Sequence, residues 1–229
     1  CDFAKERKLP DGSIDRLLVG VYVDALCTAY PSDAAGSLYA EFIAALQGRW
    51  EVDDEGEVSD LLGVEFAYGE RSITLHQASY IDKLVAEFGS GVAKPSGQGV
   101  RTPYGGDLPL HVAEALLDDS ERDPTLVKLY QSLVGALLYC ATNTRPDVAY
   151  ALGLLCRAVS KPTTVLLDDA RRVLYYLERT RTLGLTYEAD QREVHGYSDS
   201  DWAVKHSTTG WVFMHNSAAI SRDSSKQTD

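Results

Sequence analysis

The sequence lacks the features that mark disulfide-stapled, zinc-binding and membrane-spanning proteins. Four cysteines occur in 229 residues. Cys1, Cys27, Cys140 and Cys156 form no Cys-x-x-Cys pair and have no nearby histidine to complete a zinc site. We therefore expect reduced, mostly buried thiols. No stretch reaches about eighteen consecutive apolar residues, the length of a membrane span, and the first residues contain no apolar signal region. These absences predict a soluble, intracellular chain.

Basic residues are also scarce. The chain has 22 Lys and Arg against 34 Asp and Glu, a formal net charge of -12 and a pI near 4.8. Lys and Arg supply most phosphate contacts, so this balance argues against a general nucleic-acid-binding surface. The charge is nevertheless segregated. Residues 125–187 contain eight basic and four acidic residues, a local charge of +4 that leaves -16 elsewhere, part of it in the run from Glu51 to Glu57.

The hydrophobic pattern changes along the chain. With 45% hydrophobic residues the chain can bury a core. From about Ile14 to Phe88, short apolar runs alternate with Gly and acidic turns, which predicts paired strands. Apolar residues at helical spacing predict short helices over 37–46 and 80–88. Residues 93–109 are rich in Gly and Pro and predict a connector. The residues before this connector therefore predict an α+β lobe.

The second half predicts helices followed by strands. Three helices are expected between Leu126 and Thr182. Thr144 before Pro146, and Pro162 before Thr163, mark helix starts with a hydroxyl available for capping. Strands are expected over 195–202 and 209–214, with a short one near 219–221. The predicted fold class is α+β, divided into a lobe at 1–97, a connector at 98–124, a helical lobe at 125–187 and a sheet segment at 188–229.

One carboxylate follows directly on an apolar, β-branched run. The stretch Leu17 to Leu26 contains Tyr22-Val23-Asp24-Ala25, which predicts a strand with Asp24 at its tip. At a hairpin turn an acid can reach solvent and a divalent ion such as Mg²⁺. Two-metal phosphoryl transfer, however, needs several carboxylates around ions about 4 Å apart. Asp24 is thus either the remnant of such a site or a solvated hairpin acid.

Six segments resemble, in order and spacing, the Pol polyprotein of Ty1/copia-type retrotransposons. They are Tyr22-Val23-Asp24, Leu61-Leu62-Gly63-Val64-Glu65, Leu75-His76-Gln77-Ala78-Ser79-Tyr80-Ile81, Tyr130-Gln131-Ser132-Leu133-Val134-Gly135, Thr144-Arg145-Pro146-Asp147-Val148-Ala149 and Gly196-Tyr197-Ser198-Asp199-Ser200-Asp201-Trp202-Ala203. The resemblance covers the chain from about Leu17 to Gln227. It implies a partial reverse-transcriptase palm in the first lobe, a thumb-like helical lobe, and a truncated ribonuclease H-like sheet at the end.

The resemblance also implies that two metal sites are incomplete. In the family the turn motif carries two acids that act with a third from an earlier strand. Here Ala25 replaces the second acid, and the earlier strand would precede Cys1. Asp199 matches the first metal-binding acid of ribonuclease H, whose later acids would lie beyond Asp229. Mg²⁺ is therefore implied by the family alone, with Asp24 and Asp199 as remnant catalytic and metal-binding residues.

Further departures point to sequence decay. Asp201 alternates with Asp199 on the predicted strand, so only one of them can face a given site, and the resemblance favours Asp199. The link from Trp202 to Ser207 is shorter than in the family, and Arg222 stands where a tryptophan is expected. We interpret the chain as a domesticated or degenerate copy, and as a piece of something longer.

Five residues are candidates for nucleic-acid contact. By the resemblance, Leu62 and Gly63 lie in a hairpin that holds a primer terminus, although a glycine there is equally typical of a bulge. Arg145, Arg171 and Arg172 can follow phosphates along the helical lobe, although basic residues on amphipathic helices usually form only the solvated face.

Three functions remain open from the sequence. The chain can be an inactive remnant that serves as a structural or interaction subunit, with its acidic surface meeting a basic partner. It can be a module that binds an RNA or DNA duplex through the helical lobe. It can also be part of an active reverse transcriptase whose N-terminal half is missing here.

Overall fold

A computed structural model of the chain describes residues 2–31, 33–89, 100–189, 192–200 and 207–227. The chain divides into two compact units, Cys1–Val58 and Ser59–Asp229. Both combine α and β structure, and the described strands form small antiparallel sheets, which is consistent with the predicted α+β class. The lobe boundaries inferred from the sequence stay predictions. In the described part of the chain, no helix is both long and apolar enough to cross a membrane.

The first unit is a three-stranded sheet with one helix. Its strands, in the order β1-β2-β3, are β1 Asp2–Lys8, β2 Ile14–Tyr22 and β3 Ala25–Ala29, and its helix is α1 Leu38–Gln47. The small core joins Leu17 and Val19 of β2 to Leu38 and Tyr39 of α1. Alternate residues of β2 point to this core, as expected for a strand with one buried face.

A buried carboxylate ties that helix to the sheet. Asp15 of β2 accepts a hydrogen bond of 2.8 Å from the backbone N–H of Leu38, in the first turn of α1. The same oxygen accepts one of 3.1 Å from Arg7, whose guanidinium also lies 2.7 Å from Glu41. Ser37 caps the helix by accepting from the N–H of Ala40. Asp15 therefore satisfies an otherwise unpaired helix N–H and holds α1 against β2.

The second unit contains two further sheets. A four-stranded sheet runs β4-β5-β6-β7, with strands β4 Asp60–Leu61, β5 Val64–Tyr68, β6 Ser72–His76 and β7 Leu185–Glu188. The C-terminal sheet runs β10-β9-β8, with strands β8 His195–Ser200, β9 Thr208–His215 and β10 Ala218–Lys226. Leu185, Ala218 and Ala219 form a small cluster that joins the two sheets.

Helices between β6 and β7 supply the main core. They are α2 Ala78–Phe88, α3 Leu108–Leu117, α4 Pro124–Asn143, a 3₁₀ turn Pro146–Val148, α5 Ala149–Arg157 and α6 Thr164–Arg179. Their inward faces form one continuous apolar cluster. Tyr130 is completely buried in this core, and its hydroxyl donates to the carbonyl of Leu155 at 2.9 Å.

Most predicted elements are confirmed, and some were missed. The helix starting at Thr163 is capped as expected, since the hydroxyl accepts from the N–H of Leu166. The predicted capping role of Thr144 is wrong, because its hydroxyl donates to Gln77 instead.

Helix α3 lies within the stretch interpreted as a connector. Strands β1 and β7 were not predicted. Residues 90–99, Asp201 and the link from Trp202 to 206 lie outside the described residues, as does Cys1.

Three of the four cysteines lie in the described residues. Cys27, Cys140 and Cys156 are unbonded thiols. Cys140 is buried, and this burial raises its pKa to about 12. Cys27 and Cys156 are partly exposed. The thiols are therefore free as predicted, but less completely buried than expected.

Candidate functional site

Asp24 lies at the tip of a tight hairpin. Strands β2 and β3 pair with Tyr22 opposite Ala25, so Val23 and Asp24 form the two-residue turn. Val23 has a φ of 53°, a left-handed conformation that β-branched residues rarely adopt. The Asp24 side chain is exposed. The predicted hairpin acid is confirmed in its position, while its role as a metal ligand stays a prediction.

Asp199 lies on β8, one of the two outer strands of the C-terminal sheet. It is exposed on β8, and its carboxylate accepts from the N–H of Ser200 at 2.8 Å. Asp199 pairs with Gly210 of β9, which in turn pairs with Ser224 of β10. Directly opposed residues in antiparallel strands project to the same face, so these three share one face of the sheet.

Within the part of the chain that the structure describes, neither acid belongs to a group of possible metal ligands. Among the described residues, no three His, Cys, Asp or Glu side chains are grouped so that they could hold a metal ion. Asp24 and Asp199 also belong to different compact units. The carboxylates described here therefore do not fit the multi-ligand set that two-metal catalysis requires.

The Leu62-Gly63 pair forms the turn between β4 and β5. Both residues have positive φ, 56° for Leu62 and 76° for Gly63, as in the type I′ turns of hairpins. A positive φ is unfavourable for leucine. The Leu62 side chain is 49% exposed. The Leu62 carbonyl accepts a hydrogen bond of 2.5 Å from the hydroxyl of Tyr139 on α4. The turn is thus fixed to the helical core through its backbone, with the leucine side chain directed outward.

Glu65 links the same hairpin to helix α2. Its carboxylate accepts from the backbone N–H and the hydroxyl of Ser79, both at 2.8 Å, and lies 3.5 Å from His76. Burial favours the neutral acid, but the hydrogen bonds from Ser79 outweigh it and lower the pKa of Glu65. Glu65 therefore acts as the N-terminal cap of α2, whose own capping residue, Gln77, makes no such bond.

Arg145 is buried inside a polar cluster at the start of the 3₁₀ turn. The residue is 1% exposed, and its guanidinium pairs with both oxygens of Asp147. It also donates to the carbonyl and the hydroxyl of Thr180, at 3.0 and 2.7 Å, and lies 5.5 Å from the ring centre of Tyr176. The Tyr176 hydroxyl completes the cluster by donating to Asp147. We call these residues the Arg145 cluster.

The contacts inside the Arg145 cluster determine the pKa of Asp147 and occupy the guanidinium of Arg145. Burial alone would raise the pKa of Asp147, but the hydrogen bonds and charge of Arg145 and the hydroxyl of Tyr176 lower it. The guanidinium is occupied by protein acceptors and lies away from solvent, so its proposed phosphate contact finds no support in this conformation. Next to it, Thr144 donates to the buried side chain of Gln77 at 2.8 Å. These contacts join α6 and α2 to the end of α4.

Arg171 and Arg172 lie side by side on α6 and are only partly exposed. The Arg171 guanidinium is 3.4 Å from Asp168, one turn earlier on the same helix. Arg172 donates to the hydroxyl of Thr102 at 3.2 Å. In both side chains the Nε atom is buried and has no hydrogen-bond partner among the described residues. Their contact with phosphates stays a prediction.

Two basic residues that link the C-terminal sheet to the helices were not predicted from the sequence. Arg222 of β10 donates to the carbonyls of Ala141, Thr142 and Asn143, at 2.8, 2.8 and 3.2 Å. It therefore caps the C-terminus of α4, whose last carbonyls have no partner within the helix. Burial lowers the pKa of Arg222. Arg157 of α5 donates to Thr208 of β9 at 3.2 Å. In the sequence, Arg222 was interpreted only as a sign of decay.

Comparison with known proteins identifies the family. The chain is 31% identical over 226 residues to a putative transposon Ty5-1 protein of Saccharomyces cerevisiae, covering 96% of this chain and 68% of that protein. It is 33% identical over 189 residues to a retrovirus-related Pol polyprotein from transposon RE1 of Arabidopsis thaliana. It is also 29% identical over 196 residues to the corresponding polyprotein from transposon TNT 1-94 of Nicotiana tabacum.

These similarities show that the chain belongs to the Ty1/copia-type retrotransposon Pol polyprotein family. The match to RE1 covers 80% of this chain but 12% of that polyprotein, and the match to TNT 1-94 covers 83% and 14%. The chain thus corresponds to a small part of those polyproteins. No protein-family model matches the sequence, and no solved structure is significantly similar to it.

Proposed function

We propose that the chain is a domesticated or degenerate segment of a Ty1/copia reverse transcriptase/ribonuclease H, which acts as a structural or interaction subunit without catalysis. One observation carries the proposal. Polar side chains of three family motifs contact one another inside the second unit: Glu65 with Ser79, Gln77 with Thr144, and Arg145 with Asp147. In this proposal the motifs persist because they hold the fold together.

The acidic groups support the non-catalytic part of the proposal. Phosphoryl transfer needs positive charge fixed where negative charge develops, and a lone exposed carboxylate does not hold an ion firmly enough to supply it. Asp24 is followed by Ala25, and Asp199 by the short side chain of Ser200. We infer that both acids are remnants of ancestral sites. The net charge of -12 suits an interaction with a partner that presents a basic surface.

An activity assay tests this proposal. The 229-residue chain is incubated with Mg²⁺ or Mn²⁺, first with a primed template and nucleotides, then with an RNA–DNA hybrid. We expect neither primer extension nor RNA cleavage. Extension that is abolished by Asp24→Asn, or cleavage that is abolished by Asp199→Asn, would overturn the proposal. Either result would show that the chain is an enzyme.

Binding of an RNA or DNA duplex is the second candidate function. It is favoured by the local charge of +4 over residues 125–187 and by the neighbouring Arg171 and Arg172. Fluorescence anisotropy with a primer–template duplex at about 50 and 200 mM salt tests it, because true phosphate contacts weaken steeply between these concentrations. The double variant Arg171→Gln/Arg172→Gln should then reduce binding. Arg49→Gln, in the first unit, is the control for loss of charge.

A further inference from the structure

A cleft lies between helix α5 and the C-terminal sheet, both within the second unit. It has a volume of about 220 Å³. Its walls include Tyr150, Gly153 and Arg157 from α5, and Thr208, Ser224 and Lys226 from β9 and β10. None of these residues has a role that was predicted from the sequence.

Two glycines lie where helix α5 faces the C-terminal sheet. A Cβ atom added to Gly153 would lie 3.6 Å from the carbonyl oxygen of Ser224, so the helix backbone passes close to the strand at that point. Gly210 pairs with Ser224 on the neighbouring strand and has no side chain on that face. The volume of about 220 Å³ is far more than one water molecule needs. It is large enough for a phosphate group with some water.

The polar groups of the cleft match an anion. Arg157 and Lys226 supply two positive charges, and Thr208 and Ser224 supply hydroxyls that can donate. Arg157 is held in place by its 3.2 Å bond to Thr208. Cys156 also lines the cleft, and burial raises the pKa of its thiol, so it adds no negative charge at neutral pH.

The nearest acidic side chains on the C-terminal sheet do not line the cleft. Asp223 lies between Arg222 and Ser224 on β10, so it projects from the opposite face, where it accepts from Ser225. Asp199 shares the sheet face of Ser224 but is two strands away, beyond Gly210. The two cations are therefore the charged groups among the described lining residues.

We propose that this cleft binds a phosphate group, held by Arg157 and Lys226 and oriented by the hydroxyls of Thr208 and Ser224. An arginine that is already positioned can form two hydrogen bonds to one phosphate, and a lysine adds a point charge. The phosphate can belong to a free anion or nucleotide, or to the backbone of a nucleic acid. The site is distinct from the Arg171–Arg172 pair and does not depend on catalysis by the chain.

Two binding measurements on the 229-residue chain test the site and distinguish the sources. Inorganic phosphate is titrated by isothermal calorimetry, and a short single-stranded oligonucleotide is titrated by fluorescence anisotropy at several salt concentrations. We expect Lys226→Gln to weaken whichever probe binds by about tenfold, since a charge-assisted hydrogen bond is lost. For the oligonucleotide, the slope of log affinity against log salt should also fall by about one.

Matched variants make the result decisive. Lys83→Gln removes one positive charge from an exposed position on α2 and should leave binding unchanged. Thr208→Val removes a hydroxyl donor without changing the charge and should weaken binding less than Lys226→Gln does. Binding of either probe with this pattern supports the site, and the probe that binds identifies the source. If neither probe binds, or if Lys83→Gln weakens binding as much as Lys226→Gln, the proposal is wrong.

Discussion

Arg145 and Asp147 form a two-point ion pair across a single proline. Nε and Nη2 of the arginine lie 2.9 and 2.7 Å from the two carboxylate oxygens. The same guanidinium reaches Thr180 at the C-terminus of α6. A short polar motif in the sequence therefore connects the end of α4 with the end of α6. The contribution of this ion pair to the stability of the second unit can be measured.

Removal of Arg145 should destabilise the second unit. Arg145→Met leaves Asp147 partly buried without a partner, and the loss of one member of a buried pair typically costs about 3 to 5 kcal/mol. Because the Asp147 side chain is 36% exposed, we expect about 3 kcal/mol, the lower end of this range. Urea unfolding measures it. The control is Arg181→Gln, whose ion pair with Asp82 is 3.7 Å long and exposed, and which should cost less than about 1 kcal/mol. Equal effects of the two variants would contradict the argument.

The same pair predicts a pH dependence of stability. The pKa of Asp147 is lowered in the folded protein, so its contribution is present above the unfolded value of about 3.9 and is lost as the pH falls through the lower folded value. Asp147→Asn should therefore be less stable than the natural chain at pH 7. The difference should shrink below about pH 4. Chemical unfolding at a series of pH values measures this difference, and a constant gap down to low pH would count against it.

Arg222 should hold the C-terminal sheet against helix α4. Arg222→Met removes the donor to three carbonyls at the end of that helix, and we expect a loss of about 2 kcal/mol, typical of hydrogen bonds that involve a charged group. Hydrogen exchange should increase in β9 and β10 before it does in the helical core. Asp223→Asn, on the opposite face of the same strand, is the matched control and should change stability by less than about 0.5 kcal/mol. Faster exchange that begins in the helices would refute this assignment.

The turn at Leu62 and Gly63 should respond in opposite directions to two substitutions. Leu62→Asn places a residue that tolerates positive φ at the first turn position, so stability should rise by about 1 kcal/mol. Gly63→Ala should lower it by about the same amount. The cause is backbone conformation alone, because a Cβ at Gly63 would meet nothing nearer than 3.9 Å. Thermal and urea unfolding give both values. A less stable Leu62→Asn variant would show that the exposed leucine side chain makes a stabilising contact.

A restored second acid at the first hairpin should not create an enzyme. Ala25→Asp adds a carboxylate beside Asp24, but the described residues supply no third ligand for a pair of metal ions. We expect Mg²⁺ affinity to rise slightly and primer extension to remain undetectable, with Ala25→Asn as the uncharged control. Magnesium titration and an extension assay give the two readouts. Extension by Ala25→Asp alone would mean that another acid completes the site.

The elements that the sequence predicted share a clear hydrophobic period. The hairpin at Asp24 and the three helices after Leu126 belong to this group, because one face of each packs on a core. Strand β1 was not predicted because its sequence, Asp2-Phe3-Ala4-Lys5-Glu6-Arg7-Lys8, is highly charged. As an edge strand it buries few side chains. Helix α3 was not predicted because the whole stretch 98–124, which follows the Gly- and Pro-rich residues, was interpreted as a connector. Strand β7, with four residues, is too short to show a period.

The candidate site was less predictable for a physical reason. Arginines 145, 171, 172 and 222 look alike in the sequence, but tertiary contacts separate them into a buried ion pair, a partly covered pair on α6 and a helix cap. Whether a guanidinium meets a carboxylate, a carbonyl or solvent depends on residues up to 81 positions away along the chain. Local pattern contains no information about such partners. The cleft below α5 likewise arises from the packing of elements that are distant in sequence.

The pairing of β6 with β7 has a consequence for how the second unit forms. Ser72 to Leu75 pair with Leu185 to Glu188, so the whole helical segment is enclosed between two neighbouring strands. Closing so long a loop carries an entropic cost that must be met before the strand contacts can repay it. During synthesis the four-stranded sheet stays unfinished until Glu188 has left the ribosome. The helices therefore have time to assemble first, because β7 is the last strand of that sheet to be synthesised.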